Sequence, residues 1–208
     1  MKIAIIGVGN VGGALATKWA AAGHQIFLGT RHFPNLKRED LRQNPRTTVH
    51  PIAEAVSLAE VILLATPAMA TIPLLQQMGD TSGKVIIDAM NIIRGRGPEG
   101  FTNTAEAILA HTQTEEVVKC FNTTGYNNMV NPQYEGGAID MFVCGDSLRG
   151  KAMARELALD AGFAECYDVG GNAQFDLMEQ FALFWINLAV FQGVGRGVGF
   201  KLFRRGKD

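Results

Sequence analysis

The sequence predicts an α/β protein built on a doubly wound, mainly parallel sheet with a short C-terminal helical extension, and three observations carry that reading. Short apolar runs recur along the chain with helical stretches between them. A glycine-rich segment, Gly7-Val8-Gly9-Asn10-Val11-Gly12, follows the first run at once and opens the first helix. Glycine is also abundant, 24 of 208 residues, against roughly 7% on average, which points to backbone that turns sharply or approaches something closely.

Taken in order, the runs at 3–6, 25–28, 61–65, 84–88, 117–121 and 141–144, with a weaker one at 165–169, read as strands. A parallel sheet covered by helices buries both faces of each strand, so its strands appear as continuous apolar runs rather than as alternation. Residues 11–22 are Ala-rich and closed by Gly23, a helix with a glycine stop. A second clear helix begins at Ser147, runs to 161 and ends at Gly162. After Gly170-Gly171 the strands cease, and 174–192 read as a helix carrying Phe175, Met178, Phe181, Phe184, Trp185 and Phe191. That is more apolar surface than one face needs. It implies either a helix folded over the sheet or one that also makes a subunit contact, and hence a homodimer.

Length and composition bound the function. A chain of 208 residues and 22.5 kDa holds one large domain with a small appendage, which excludes a dehydrogenase with a full-sized substrate domain. A net charge of −1 gives no electrostatic reason to expect nucleic acid as a partner. Cys120, Cys144 and Cys166 are odd in number and widely spaced, without a C-x-x-C or Cys/His cluster, so neither a disulfide framework nor a metal site is expected. The apolar start at 3–6 is too short for a signal peptide, and no stretch reaches the roughly 20 residues of a membrane span. The expectation is a cytoplasmic protein.

The glycine segment stands where a G-x-G-x-x-G match acquires meaning, after a strand and at the start of a helix. Gly7 permits the tight turn, Gly9 lets backbone come against a pyrophosphate, and Gly12 lets the helix pack on the strand; Asn10 and Val11 sit at the helix N-terminus, whose N–H groups favour phosphate. The fold is therefore of Rossmann type, with a dinucleotide-binding domain at 1–170 and the extension at 171–208. A second glycine string, Gly193-Val194-Gly195-Arg196-Gly197-Val198-Gly199, follows a helix and lacks the third glycine of the pattern, so it reads as a turn or an interface feature.

The end of the second strand selects the dinucleotide. NAD sites carry a carboxylate there for the ribose hydroxyls. This chain has Gly29-Thr30-Arg31-His32 and no carboxylate before Glu39. A Thr hydroxyl and an Arg guanidinium bond a 2′-phosphate that a carboxylate would repel, so the cofactor is NADP(H), with His32 placed to stack on the adenine. Lys37, Arg38, Arg42 and Arg46 beyond it read as a solvated basic loop.

Substrates of such sheets bind at the carboxyl ends of the strands, here Ala65-Thr66-Pro67-Ala68-Met69, Asp88-Ala89-Met90-Asn91 and Phe121-Asn122-Thr123-Thr124. None of these segments places a Lys, His, Glu or Tyr as an evident proton donor, and Asp88 reads chiefly as a cap for its loop. No catalytic residue is assigned. A flat redox-active ring asks mainly for positioning and dry surroundings.

In these segments, with Val118-Lys119-Cys120-Phe121, Val143-Cys144-Gly145-Asp146 and the closing Gly199-Phe200-Lys201-Leu202, the chain resembles the NADP reductases of the deazaflavin coenzyme, a family that includes the NADPH domain of metalloreductases. The resemblance implies that Thr66 and Pro67 lie along the nicotinamide ribose. It also implies that Asn91, with Asn122 and Thr123, borders the nicotinamide and an acceptor site that takes in Met69. Where the deazaflavin reductases carry a His-Thr-Ile-Pro type segment, this chain reads Phe121-Asn122-Thr123-Thr124, closer to the metalloreductases, so the acceptor stays open between deazaflavin and flavin. Two other readings stand beside it: an NADPH-binding sensor without turnover, and a small imine or carbonyl reductase.

Overall fold

Val61-Ile62-Leu63-Leu64 is buried along its whole length because it lies in mid-sheet with helices on both faces. The computed structural model describes residues 1–36 and 38–205, so Lys37 lies outside the described residues. In chain order the strands are β1 (Lys2–Ile6), β2 (Gln25–Thr30), β3 (Thr47–Pro51), β4 (Val61–Leu64), β5 (Val85–Asp88), β6 (Val117–Cys120), β7 (Gln133–Tyr134), β8 (Gly137–Ala138), β9 (Met141–Cys144) and β10 (Cys166–Gly170). The helices are α1 (Asn10–Ala21), α2 (Ile52–Leu58), α3 (Thr71–Leu75), α4 (Thr104–His111), α5 (Tyr126–Val130), α6 (Leu148–Asp160) and α7 (Phe175–Ile186).

Eight strands form one sheet in the order β10-β9-β6-β5-β4-β1-β2-β3, and β7 with β8 makes a separate small hairpin. Every pairing in the large sheet is parallel except β6 with β9. The run β3-β2-β1-β4-β5-β6 is the doubly wound order whose crevice opens between β1 and β4, where the chain changes direction across the sheet. Alternate residues of the central strands feed two cores. Ile3, Ile5, Val61 and Leu63 meet α1 and α6 through Leu15, Trp19 and Leu157; Ala4, Ile6, Ile62 and Leu64 meet Ile52, Leu75 and Ile108 on the other face. Trp19 also donates from Nε1 to Leu157 O at 2.8 Å, joining two helices under one face.

The helix ends follow their residues. Gly23 (φ +101°) and Gly162 (φ +98°) turn the chain out of α1 and α6, and Ser147 caps α6 by accepting from Gly150 N at 2.7 Å. Three strands that the sequence reading did not include, β3, β7 and β8, explain themselves. β3 is an edge strand with alternating burial, so it never forms an apolar run. The hairpin of β7 and β8 has two residues per strand. The C-terminal extension shares the second of these cores, since Phe175 and Met178 pack with Ile86, Val117 and Cys144. Residues 192–199 belong to no helix or strand, and Gly193 and Gly195 stand at positive φ.

Candidate active site

β1 ends at Ile6 and α1 begins at Asn10, so three residues make the whole reversal. Gly7 takes φ +102°, and a Cβ on it would fall 2.5 Å from Ala65 O, so no other residue fits between the two strand ends. A Cβ on Gly12 would lie 1.9 Å from Gly7 O, which fixes how closely α1 rests on the loop. Gly9 is different: nothing stands within 4 Å of its missing Cβ. The helix start has no side-chain cap and no acidic residue in its first turn. An open backbone face beside uncapped N–H groups fits a pyrophosphate and its charge.

From this loop a cleft of about 1010 Å³ crosses the ends of β1, β2 and β4. Gly7, Gly9, Asn10, Thr30, Arg31 and His32 line one side, with Thr66, Pro67 and Met69 opposite. Among the described residues its lining includes no carboxylate. Thr30 Oγ1 accepts from His32 N at 3.1 Å and shapes the turn that carries Arg31 outward. Arg38, read from the sequence as part of a solvated loop, lines this cleft instead. A Cβ on Gly13 would meet its Nη1 at 2.6 Å, so the guanidinium lies along α1. Asp40 holds it in a fork of 2.9 and 2.6 Å; that hydrogen bonding raises the Arg38 pKa and keeps the Asp40 carboxyl below its usual range. The segment offers several cations in sequence, and the fold shows that Arg38 turns inward.

A second cavity, about 640 Å³, meets the first at Asn10, Pro67 and Met69. Val11 belongs to this one, while Gly12 is buried beneath the loop and lines neither. Asn91 and Asn122 form its floor, and Trp185, Ile186, Val190 and Phe191 its wall. Phe121 reverses the chain at the end of β6 with φ +62°. Its ring stays in the core, 5.5 Å from Trp19, while the next residue turns to the cavity. Asn91 Nδ2 donates to Asn122 O at 2.9 Å and Asn122 Nδ2 returns a bond to Asn91 Oδ1 at 3.0 Å. Asn122 Nδ2 also donates to Met178 O at 3.1 Å, and its buried Oδ1 has no hydrogen-bond partner among the described residues.

Two sequence expectations shift here. Thr123 is buried with Oγ1 3.9 Å from Met141 Sδ, pointing into the core, and Thr124 lines the cavity in its place. No proton donor was expected, yet Tyr126, half-buried at the start of α5, stands on the cavity lining. It lies beyond the three strand-end segments, on the helix that follows the last of them. Trp185 closes the wall from behind: Nε1 donates to Val198 O at 2.7 Å, and the ring fills the space a Cβ on Gly125 would need.

Asp88 reaches neither cavity. It is fully buried and accepts from Met90 N at 2.9 Å, Thr104 Oγ1 at 2.5 Å and Lys119 Nζ at 2.7 Å. Lys119 also lies 2.9 Å from Glu179 Oε1, an ion pair without hydrogen-bond geometry, and Glu179 Oε2 accepts from Ile92 N at 2.9 Å. Burial alone would lower the Lys119 pKa, but attraction to Asp88 and Glu179 outweighs it and carries the ammonium above its ordinary value. The triad therefore fastens α7 to the ends of β5 and β6, directly under the second cavity. Among the described residues no cluster of His, Cys, Asp or Glu could hold a metal, and no helix is long and apolar enough to cross a membrane.

Residues 2–92 match the model of the family described as NADP oxidoreductase, coenzyme F420-dependent. The chain is 26% identical over 215 residues to the F420-dependent NADP reductase of Methanothermobacter marburgensis, covering 91% of this chain and 93% of that protein. It is also 26% identical over 190 residues to metalloreductase STEAP3 of Rattus norvegicus, covering 88% of this chain, and it spans only 36% of the length of that protein. A crystal structure of a candidate F420-dependent NADP-reductase from Arthrobacter sp. FB24 superposes with a TM-score of 0.83 at 27% identity, covering 98% of this chain and 100% of that one. A reductive aminase from Aspergillus terreus shares the fold at 17% identity, TM-score 0.67, over 92% of this chain and 62% of its own. With residues 2–92 matching the family's model and nearly the whole chain following these relatives, the protein resembles the coenzyme F420-dependent NADP oxidoreductases.

Proposed function

We propose that the protein moves hydride between NADP(H) in the larger cleft and a flat redox ring, a deazaflavin or a flavin, in the smaller cavity. The observation that carries this reading is the junction of the two cavities at Asn10, Pro67 and Met69. Bound NADPH would supply the hydride from its nicotinamide. The chain's own part is binding and exclusion of water. The glycine loop and the start of α1 take the pyrophosphate, Thr30, Arg31 and Arg38 face the 2′-phosphate, and Thr66 and Pro67 bound the ribose. Asn91 and Asn122, locked by their mutual bonds, floor the reacting region while the apolar wall of α7 keeps it dry. Positioning two rings in contact supplies much of such a rate without a general acid.

Tyr126 favours a second reading, a small imine or carbonyl reductase, since a phenol on the cavity lining is a group that donates a proton. Absorbance of reduced nicotinamide, followed with deazaflavin coenzyme, flavins, ferric chelates and small imines or ketones in turn, tests both. Oxidation of NADPH by a flat ring is the expected result. Turnover only with an imine or ketone would give the second reading, and binding without any turnover would give a sensor.

The exposed Leu177, Phe184 and Phe191 on and after α7 support the homodimer expected from the sequence. The free, buried thiols of Cys120, Cys144 and Cys166 suit a cytoplasmic location.

A further inference from the structure

Ile93-Arg94-Gly95-Arg96 closes as a tight reverse turn in which Arg96 N donates to Ile93 O at 3.2 Å. Both central residues have positive φ, +55° at Arg94 and +69° at Gly95. Turns of that kind favour Asn-Gly or Gly-Gly, because a longer side chain at positive φ is strained, and such strain gathers where a side chain must be held for a purpose. Here the strained position carries an arginine whose guanidinium lies 5.5 Å from the centre of the Phe191 ring. Arg94 and Arg96 line the acceptor cavity from this turn, and Arg196 lines it from the glycine-rich segment near the other end of the chain. Among the described residues the cavity lining includes no carboxylate, and none of the three arginines has an ion-pair partner. On a chain of net charge −1, three unpaired guanidinium groups on one cavity are a local concentration, not a general surface property.

We propose that Arg94, Arg96 and Arg196 form an anion-binding subsite at the acceptor cavity, taking a phosphate or carboxylate appendage of the ring-bearing acceptor. The inference rests on the hydride-transfer function proposed above and gives its acceptor a charge. Guanidinium forks match the oxygens of phosphate and carboxylate, and stacking on Phe191 fixes one fork before the ligand arrives. The ring then occupies the apolar part of the cavity while its appendage meets the exposed arginines, which need little desolvation to bind it.

FMN and riboflavin share one ring and differ by one phosphate, so NADPH oxidation with each gives the test. The wild type is expected to show kcat/KM for FMN at least about tenfold above that for riboflavin. The ratio should shrink as ionic strength rises from about 0.01 M to 1 M and the screening length falls from about 30 to 3 Å. In an Arg94→Ala/Arg196→Ala double variant with a wild-type melting curve the ratio should fall toward one; if that variant does not fold, Arg196→Ala alone reads the same ratio. Equal kcat/KM for the two flavins in the wild type overturns the proposal. So does a variant that keeps the ratio but weakens NADPH binding, because the arginines would then serve the dinucleotide. If neither flavin oxidises NADPH, flavin is removed as the acceptor and the functional reading rests on deazaflavin, while flavin fluorescence titration of the NADP⁺ complex judges the subsite alone. Tighter FMN than riboflavin sustains the subsite; equal affinities overturn it.

Discussion

The two cavities are built in opposite ways. The dinucleotide cleft draws much of its lining from the glycine loop and the end of β2, close together in sequence, with Arg38 and Thr66 joining from other segments, and much of its chemistry is backbone. The acceptor cavity gathers side chains from α1, three strand-end loops, a reverse turn, α5, α7 and the segment after it. A site made of backbone needs particular residue types at fixed spacing, because only glycine tolerates the approach. A site made of side chains from distant segments needs only that the fold bring them together, and leaves no pattern behind.

Tests that pull the two cavities apart sharpen this contrast. The largest effect belongs to their shared foundation. Lys119→Met leaves Asp88 and Glu179 buried as unpaired carboxylates, a loss of about 3–5 kcal/mol that should lower the melting temperature by roughly 10 °C. Since the folded Lys119 pKa is raised, its contribution is whole below the free amine's 10.5 and is lost only as pH rises through the higher folded value, so the comparison at neutral pH reads all of it. A variant melting within about 2 °C of wild type would show that the triad does not fasten α7. Next comes Arg31→Ala, which should erase most of a roughly ten- to hundredfold preference for NADPH over NADH, the worth of one charge-assisted phosphate contact. Equal dissociation constants for the wild type would remove the 2′-phosphate from this end of β2.

Gly9→Ala and Gly12→Ala make a matched pair within one loop. The first fills open space and should weaken NADPH by about tenfold with an unchanged melting curve; the second presses on Gly7 O and should lower stability. Identical behaviour of the pair would mean that Gly9 has no ligand to meet. Tyr126→Phe is expected to stay within about threefold for a flat-ring acceptor, whereas general acids contribute about 10²–10⁴ where they act. A thousandfold loss with intact NADPH binding would move the acceptor cavity to imine or carbonyl chemistry. The smallest effect concerns assembly. Phe184, 52% exposed, should convert a dimer to monomer on Phe184→Asp in sedimentation, while the buried Trp185 would report on folding instead.

How far the sequence could be read follows the same division. Strands buried on both faces, the loop at Gly7 and Gly12, and the helix stops at Gly23 and Gly162 each follow from one local rule, and the structure has all of them. β3 escaped because an edge strand alternates instead of forming an apolar run. Thr123 and Thr124 could not be told apart, since the positive φ at Phe121 decides which of the following side chains faces inward. Arg38 and Tyr126 depend on tertiary approach alone. Glu179 carried a faint signal, a carboxylate on an otherwise apolar helix face, and Lys119 another, a cation inside a strand of apolar residues.

The fastening of α7 has a consequence for how such a chain tolerates change. Glu179 anchors the helix near its start, while Ile186, Val190 and Phe191, which wall the acceptor cavity, lie about two or three turns further on. The anchor and the wall are therefore separable under substitution: exchanging the wall residues alters what the cavity accepts without unseating the helix, and exchanging the anchor unseats everything at once. A saturation library scored for folding should accept many residues at Val190 and Phe191 and almost none at Lys119. Such a chain is free to acquire a new acceptor while its dinucleotide half stays as it is.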